Sequence, residues 1–161
     1  MELGIAQGYE DGSFRPERSV SRAELAVLLS RAMKLPESGS PSAFKDALSI
    51  PAWARGAVAG AASSGWIGGY EDGSFRPDRP ISRAELAVIA AKAAGLKTVA
   101  GEKPSYLDLA GIPVWARPSV AALQQAGLMG GVGGSRFAPA EPVSRAQAAA
   151  LLVKLAAQQA A

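Results

Sequence analysis

Apolar residues recur along the chain at the spacing of a helix, not of a strand. Leu25, Leu28, Leu29 and Ala32 fall three and four apart, and Leu151, Leu152 and Leu155 repeat the arrangement near the other end. Each run follows a start signal. Ser21 with Glu24 predicts a capping box, in which each side chain satisfies the other's unpaired backbone N–H, and Val20 with Leu25 fits a hydrophobic staple. Ser82 and Glu85 between Ile81 and Leu86 repeat the box, and Ser144 and Gln147 after Val143 keep a glutamine version. A second kind of helix is predicted to open near Pro51 and near Pro113, because proline is favoured early in a helix. Gly56, Ala57, Gly60 and Ala61 in that helix would let backbones approach closely. Periodicity stops at Pro36–Pro41 and Lys97–Pro104, which read as linkers. The pattern predicts an all-α protein of repeated helix–loop–helix units sharing one core.

The units are copies of one another. The segment Gly8–Pro16 (Gly-Tyr-Glu-Asp-Gly-Ser-Phe-Arg-Pro) returns 61 residues later at Gly69–Pro77, and Ser21–Val27 returns at Ser82–Val88 with the same offset. Gly131–Phe137 followed by Ser144–Gln147 is a looser third copy. Phe44, Asp46 and Trp53-Ala54-Arg55 match Tyr106, Asp108 and Trp115-Ala116-Arg117 at an offset of 62. One unit therefore reads aromatic-x-Asp, a helix opening near Trp-Ala, a Gly-rich loop ending in Phe, then Ser-Arg-Ala and a second helix. Leu3-Gly4-Ile5-Ala6 already aligns with Ser64-Gly65-Trp66-Ile67, so the first unit lacks its first helix. We read one domain over 1–161, with repeat one at 1–35, repeat two at 42–96 and repeat three at 104–157.

Composition narrows the chemistry. The 161 residues contain no Cys and no His, which removes disulfides, thiol nucleophiles, imidazole bases and nearly all zinc or transition-metal sites. No cofactor is implied. The formal charge is +3, and with no run of four basic residues there is no arm for nucleic acid or anionic lipid. No apolar run is long enough to predict insertion into a membrane. Met1-Glu2-Leu3-Gly4 does not read as a signal peptide, so an export signal would lie outside this chain.

Individual residues carry two readings each. The Asp-Gly pair predicts a turn, and the alternate oxygen ligands with a distal Glu that calcium needs are absent. Phe14, Phe75 and Phe137 read as buried plugs. Arg22, Arg83 and Arg145 stand at the first helical position, where the dipole disfavours a cation, yet the Arg is kept in all three copies. Either it pairs with a nearby carboxylate, or its planar fork meets an anionic ligand. Asp46 and Asp108 would cap a helix or pair with that Arg. Trp53 and Trp115 are core residues by general tendency, or an aromatic face for a sugar ring. Paired carboxylates for glycoside hydrolysis would have to include Glu24, which the cap occupies and which becomes Gln147 in the third copy. Repeated equivalent sites suit avid binding rather than catalysis.

These motifs in this order, Phe-Lys-Asp, Trp-Ala, Gly-Tyr-Glu-Asp-Gly-Ser-Phe-Arg-Pro and Ser-Arg-Ala-Glu, resemble the S-layer homology (SLH) repeat over nearly the whole chain. The resemblance implies a three-repeat pseudo-threefold bundle with grooves between repeats, its first repeat here truncated. It implies a non-catalytic module of the bacterial cell surface, anchored to a secondary cell wall polysaccharide, often pyruvylated, or to modified peptidoglycan. A pyruvate ketal is a carboxylate on a sugar ring, which suits the Arg. By resemblance, the ligand-binding residues are Arg22, Arg83, Arg145, Asp46, Asp108, Trp53 and Trp115. Alternatives are a protein–protein packing module of a surface layer, or an accessory domain of a surface glycan-active enzyme.

Repeat three departs from the pattern at Gln147, Gly134 and Ala138-Pro139. Two pairings remain open. A groove joining adjacent repeats would bring Arg22 to Asp46 and Trp53, and Arg83 to Asp108 and Trp115. A groove within one repeat would bring Arg83 to Asp46 and Arg145 to Asp108. The absent first helix would leave apolar surface uncovered, to be closed by a homodimer or by upstream residues. Arg83→Ala is expected to weaken ligand binding by about 1.5–3 kcal/mol and to leave unfolding little affected.

Overall fold

The computed structural model describes residues 11–37, 39 and 43–160. Among these the regular structure is helical, and no strand forms. The helices are α1 (Arg22–Met33), α2 (Ala52–Ser63), α3 (Arg83–Ala93), α4 (Arg117–Gln125) and α5 (Arg145–Ala160). Single 3₁₀ turns lie at Ala47–Ser49, Leu109–Gly111 and Val114–Ala116.

The predicted caps form. Ser21 Oγ accepts from Glu24 N, Ser82 Oγ from Glu85 N and Ser144 Oγ from Gln147 N, each at 3.1 Å. The glutamine version closes the box in both directions, since Gln147 Oε1 accepts from Ser144 N. Val20 and Leu25 are fully buried, as the staple requires. Pro51 and Pro113 stand one residue before the first helical position and not inside it: α2 starts at Ala52, and Pro113 precedes a 3₁₀ turn that leads into α4. Gly65, in the left-handed conformation at φ 75°, closes the end of α2, and Trp66 N bonds back to Ala61 O.

The chain forms two compact units, Met1–Ile81 with Ser144–Ala161, and Ser82–Val143. In the first, α1 packs against both α2 and α5. Its core holds Leu25, Leu29, Ile50, Val58, Phe75 and Leu152. In the second, α3 packs against α4 around Leu86, Ile112, Val120, Leu123 and Phe137. The first linker lies partly outside the described residues; 97–104 has no regular structure beyond a turn.

The first two N–H groups of a helix have no partner within it. Here each Ser-Arg-Ala helix finds them on a loop from another repeat. Arg22 N and Ala23 N donate to the carbonyls of Arg79 and Pro77; Arg83 N and Ala84 N to those of Glu141 and Pro139; Arg145 N and Ala146 N to those of Arg18 and Pro16. Isolated antiparallel bridges at Ser21–Pro80, Ser82–Pro142 and Ser19–Ser144 extend the same junctions. Helix start and loop thus complete each other's backbone hydrogen bonding. Ser82→Ala should lower the unfolding free energy by about 1 kcal/mol in urea titrations, with Ser82→Asp recovering most of the loss.

Candidate functional site

The Arg and Asp singled out in the sequence meet at Phe75 and Phe137, and Arg145 meets Phe14. In the first unit the side chain of Arg22 is buried. Its Nε donates to Phe75 O at 2.7 Å, Nη2 donates to Gly68 O at 2.6 Å, and the guanidinium lies 4.7 Å from the centroids of both the Tyr70 and Phe75 rings. The second unit repeats this with Arg83, whose Nε and Nη2 donate to Phe137 O and Gly130 O at 2.8 and 2.7 Å beside the Phe137 ring. Arg145 donates to Phe14 O at 3.0 Å, and its Nη1 pairs with Glu24 at 3.4 Å. The ion-pair reading of the Arg therefore holds for Arg145. For Arg83 the hydrogen-bond partners are main-chain carbonyls, Nη1 makes neither of these bonds, and the charges of Glu141 and Asp108 act on it without a direct salt bridge.

Asp46 and Asp108 hold the same loops from the other side. Asp46 accepts Phe75 N and Arg76 N on its two oxygens at 2.8 and 2.9 Å; Asp108 accepts Phe137 N and Ala138 N, both at 2.8 Å. Neither caps a helix, so that reading is corrected; neither forms a direct salt bridge with the motif Arg, although the Asp108 charge acts on Arg83. The reason is the backbone. Arg76 and Ala138 sit at φ 58° and 57°, left-handed positions that side chains disfavour, and a bidentate carboxylate fixes the two N–H groups there. Burial raises both Asp pKa values, but the two N–H donors outweigh it, leaving each carboxyl below its ordinary value. Arg15 has the same conformation at φ 53°.

The loops ahead of Phe14 and Phe75 each begin with an Asx turn. Asp72 Oδ1 accepts from the Ser74 N–H and hydroxyl, with Arg76 on its other oxygen at 3.3 Å. These bonds pull the Asp72 pKa down to about 2. Asp11, Ser13 and Arg15 form the same turn. No group of acidic side chains suited to a metal exists among the described residues. The plug reading of Phe is right for Phe75 and Phe137, which are fully covered, with Phe44 and Tyr106 centroids 5.1 and 5.4 Å away. Phe14 is only half-buried. Gly69 and Gly131 make room for the covering rings; a Cβ on Gly69 would lie 2.8 Å from both the Phe44 ring and Ser74 O.

The structure brings together the Arg and Asp that the pairing between adjacent repeats would join. Arg22 and Asp46 meet on Phe75, and Arg83 and Asp108 meet on Phe137. The core reading of the tryptophans is overturned. Trp53 and Trp115 are 60% and 59% exposed, because each stands in a helix-opening turn whose next residue, Ala54 or Ala116, takes the buried position instead. Sequence reasoning missed the carbonyls of Phe75, Phe137, Gly68 and Gly130 as partners of the Arg. The near-constant spacing of Arg22 and Arg83 ahead of the next Phe-x-Pro, 53 and 54 residues, carried that signal.

The expectation that Arg83→Ala leaves unfolding unaffected is also corrected, because that side chain is 4% exposed and bridges two carbonyls. Arg83→Ala should cost about 3 kcal/mol in urea unfolding, and Arg83→Lys less. The depressed Asp46, Asp72 and Asp108 pKa values give a pH dependence of known sign. Their stabilisation is complete above the ordinary Asp range near 4 and is lost as pH falls through the lower folded values. Urea midpoints should be flat from about pH 5 to 7 and fall steeply below about pH 4. Asp108→Asn should flatten part of that fall.

Residues 2–26, 43–87 and 105–149 match the S-layer homology domain family. The chain is 35% identical over 91% of its length to Cell surface glycoprotein 1 of Acetivibrio thermocellus, of which it spans 7%. It is 31% identical over 91% of its length to the Cellulosome-anchoring protein of the same organism, spanning 34% of it. Against S-layer protein EA1 of Bacillus anthracis the figures are 33%, 92% and 17%. The chain therefore matches a minor part of each of these longer relatives. With the Phe-centred loop held between Arg and Asp in adjacent repeats, and these matches over most of its length, the chain belongs to the S-layer homology domain family.

Proposed function

We propose that the chain is a non-catalytic anchoring module of the bacterial cell surface, binding an anionic, pyruvylated secondary cell wall polysaccharide. The observation that carries this reading is the pair of exposed indoles. Trp53 and Trp115 stand at equivalent places in two repeats, each on a helix start whose neighbouring Arg55 or Arg117 Nε is tied to Ile50 O or Ile112 O at 3.0 and 2.9 Å. Two large, mostly exposed apolar rings suit the C–H face of a sugar. The charge would come from the motif Arg. At Arg83 two donors hold the loop, and Nη1 is the edge left for a ketal carboxylate. Asp46 and Asp108 act by fixing the loop that positions the Arg, and Arg22 and Arg145 are secondary contacts, Arg145 having its Nη1 paired with Glu24. Repetition of moderate sites gives avidity on a polymer.

The relatives' names support this direction, since one is a cellulosome-anchoring protein and another an S-layer protein. Others are named Amylopullulanase and Exoglucanase XynX, of which the chain spans 8% and 14%, which favours an accessory role beside an enzyme in some parent proteins.

Co-sedimentation with purified cell wall tests the reading. The chain should pellet with intact wall and remain in the supernatant once the polysaccharide has been extracted. Trp115→Ala should weaken pelleting about tenfold while leaving the urea midpoint unchanged, because the indole is mostly exposed. Equal pelleting with and without the polysaccharide would contradict the proposal.

A further inference from the structure

The loops gripped by Arg22 and by Arg83 share a backbone but not a distribution of charge. In the first unit three guanidinium groups lie over one ring. Arg76 is 4.0 Å, Arg22 4.7 Å and Arg79 5.1 Å from the centroid of Tyr70. In the second unit the corresponding places hold Val132, Ala138 and Glu141. The ring and two of the cations are gone there, and the Glu141 carboxylate acts on Arg83.

The Tyr70 cluster is anchored through its main chain. Tyr70 N donates to Ser74 O at 2.8 Å, Arg79 N donates to Arg76 O at 3.2 Å, and Arg79 O accepts from Arg22 N at 2.9 Å. The Arg79 side chain is nevertheless exposed, and among the described residues no carboxylate pairs with it. Glu71 and Asp78, exposed on the same loop, form no described ion pair. Arg76 spends Nε on Ser74 Oγ and Nη2 on Asp72, a carboxylate it shares with Lys45, and Nη1 makes neither bond. A ring face attracts each cation, but like charges gathered on one ring repel one another. An anion seated between them removes that repulsion. A carboxylate offers two oxygens and a single charge, which one guanidinium fork satisfies. A phosphate group offers three oxygens and up to two charges, so it takes two forks at once.

We propose that Arg76 and Arg79, set over Tyr70, form a site for a dianionic phosphate group, either the free ion or a terminal monoester, and that Val132, Ala138 and Glu141 deny such a site to the second unit. The two loops then differ in what they bind, although their Arg, Phe and Asp are equivalent. Small phosphates test this without any glycan. Their failure to bind would leave the sugar-face reading of Trp53 and Trp115 standing.

The test follows the guanidinium carbons of Arg76 and Arg79 in the whole chain by carbon-detected NMR. Titrations use inorganic phosphate, glycerol 1-phosphate and acetate at one ionic strength and about pH 7.5, where phosphate is mostly dianionic. Inorganic phosphate should give saturable shifts at both residues, with an affinity at least about tenfold above that of acetate. Equal binding of glycerol 1-phosphate would identify a terminal monoester as the ligand, and much weaker binding would identify the free ion. Arg79→Glu, read at Arg76, should weaken phosphate binding by about tenfold or more. Arg31→Glu makes the same change of net charge at an exposed position of α1 and should leave the affinity unchanged. Acetate binding as tightly as phosphate, full binding in Arg79→Glu, or an equal loss in Arg31→Glu would overturn the proposal.

Discussion

Each Ser-Arg-Ala helix starts by taking hold of a loop from another repeat. Its first two N–H groups bond that loop's carbonyls, and the Arg side chain crosses to the carbonyl of the loop Phe. Asp46 or Asp108 grips the same Phe through its N–H. A residue held at both its N–H and its C=O by charged groups cannot drift, and the adjoining left-handed residue, which would otherwise relax, is fixed with it. Burying an Arg is costly unless its donors are satisfied. Here carbonyls and an aromatic ring satisfy them, so the charge serves assembly.

That division of labour shapes the surface. The loops are fixed because their polar groups are spent on each other, while Trp53 and Trp115 are mostly exposed. An indole that stability does not need is free to be used on a ligand. On the proposed glycan reading, binding and folding are separable at Trp53 and Trp115 but entangled at the Arg. Loss of binding in an Arg variant is therefore interpretable only beside its unfolding curve. The same entanglement explains why an N1 Arg is retained against the helix dipole: the energy of two charged hydrogen bonds exceeds the few tenths of a kcal/mol the dipole costs.

What was legible in the sequence was local or repeated. The capping boxes at Ser21, Ser82 and Ser144 need only four residues each, and the helices follow from them. The repeat offsets showed which Asp and Trp are equivalent, and Phe75 read correctly as a plug. Asp46 and Asp108 were misread because their partners are main-chain N–H groups 29 and 30 residues away, which carry no side-chain signature. The Arg was ambiguous for the same reason: its acceptors are carbonyls. The exposure of Trp53 and Trp115 runs against a general tendency, and only the position of the adjoining alanine in the core explains it.

The central claim is that Arg83 and Asp108 act on one residue, Phe137, from opposite sides. A double-mutant cycle with Arg83→Lys and Asp108→Asn, read by urea unfolding, measures this directly. The account predicts a coupling of about 1 kcal/mol or more, because once one grip is lost the loop relaxes and the other grip is worth less. Losses that simply add, to within about 0.5 kcal/mol, would contradict it.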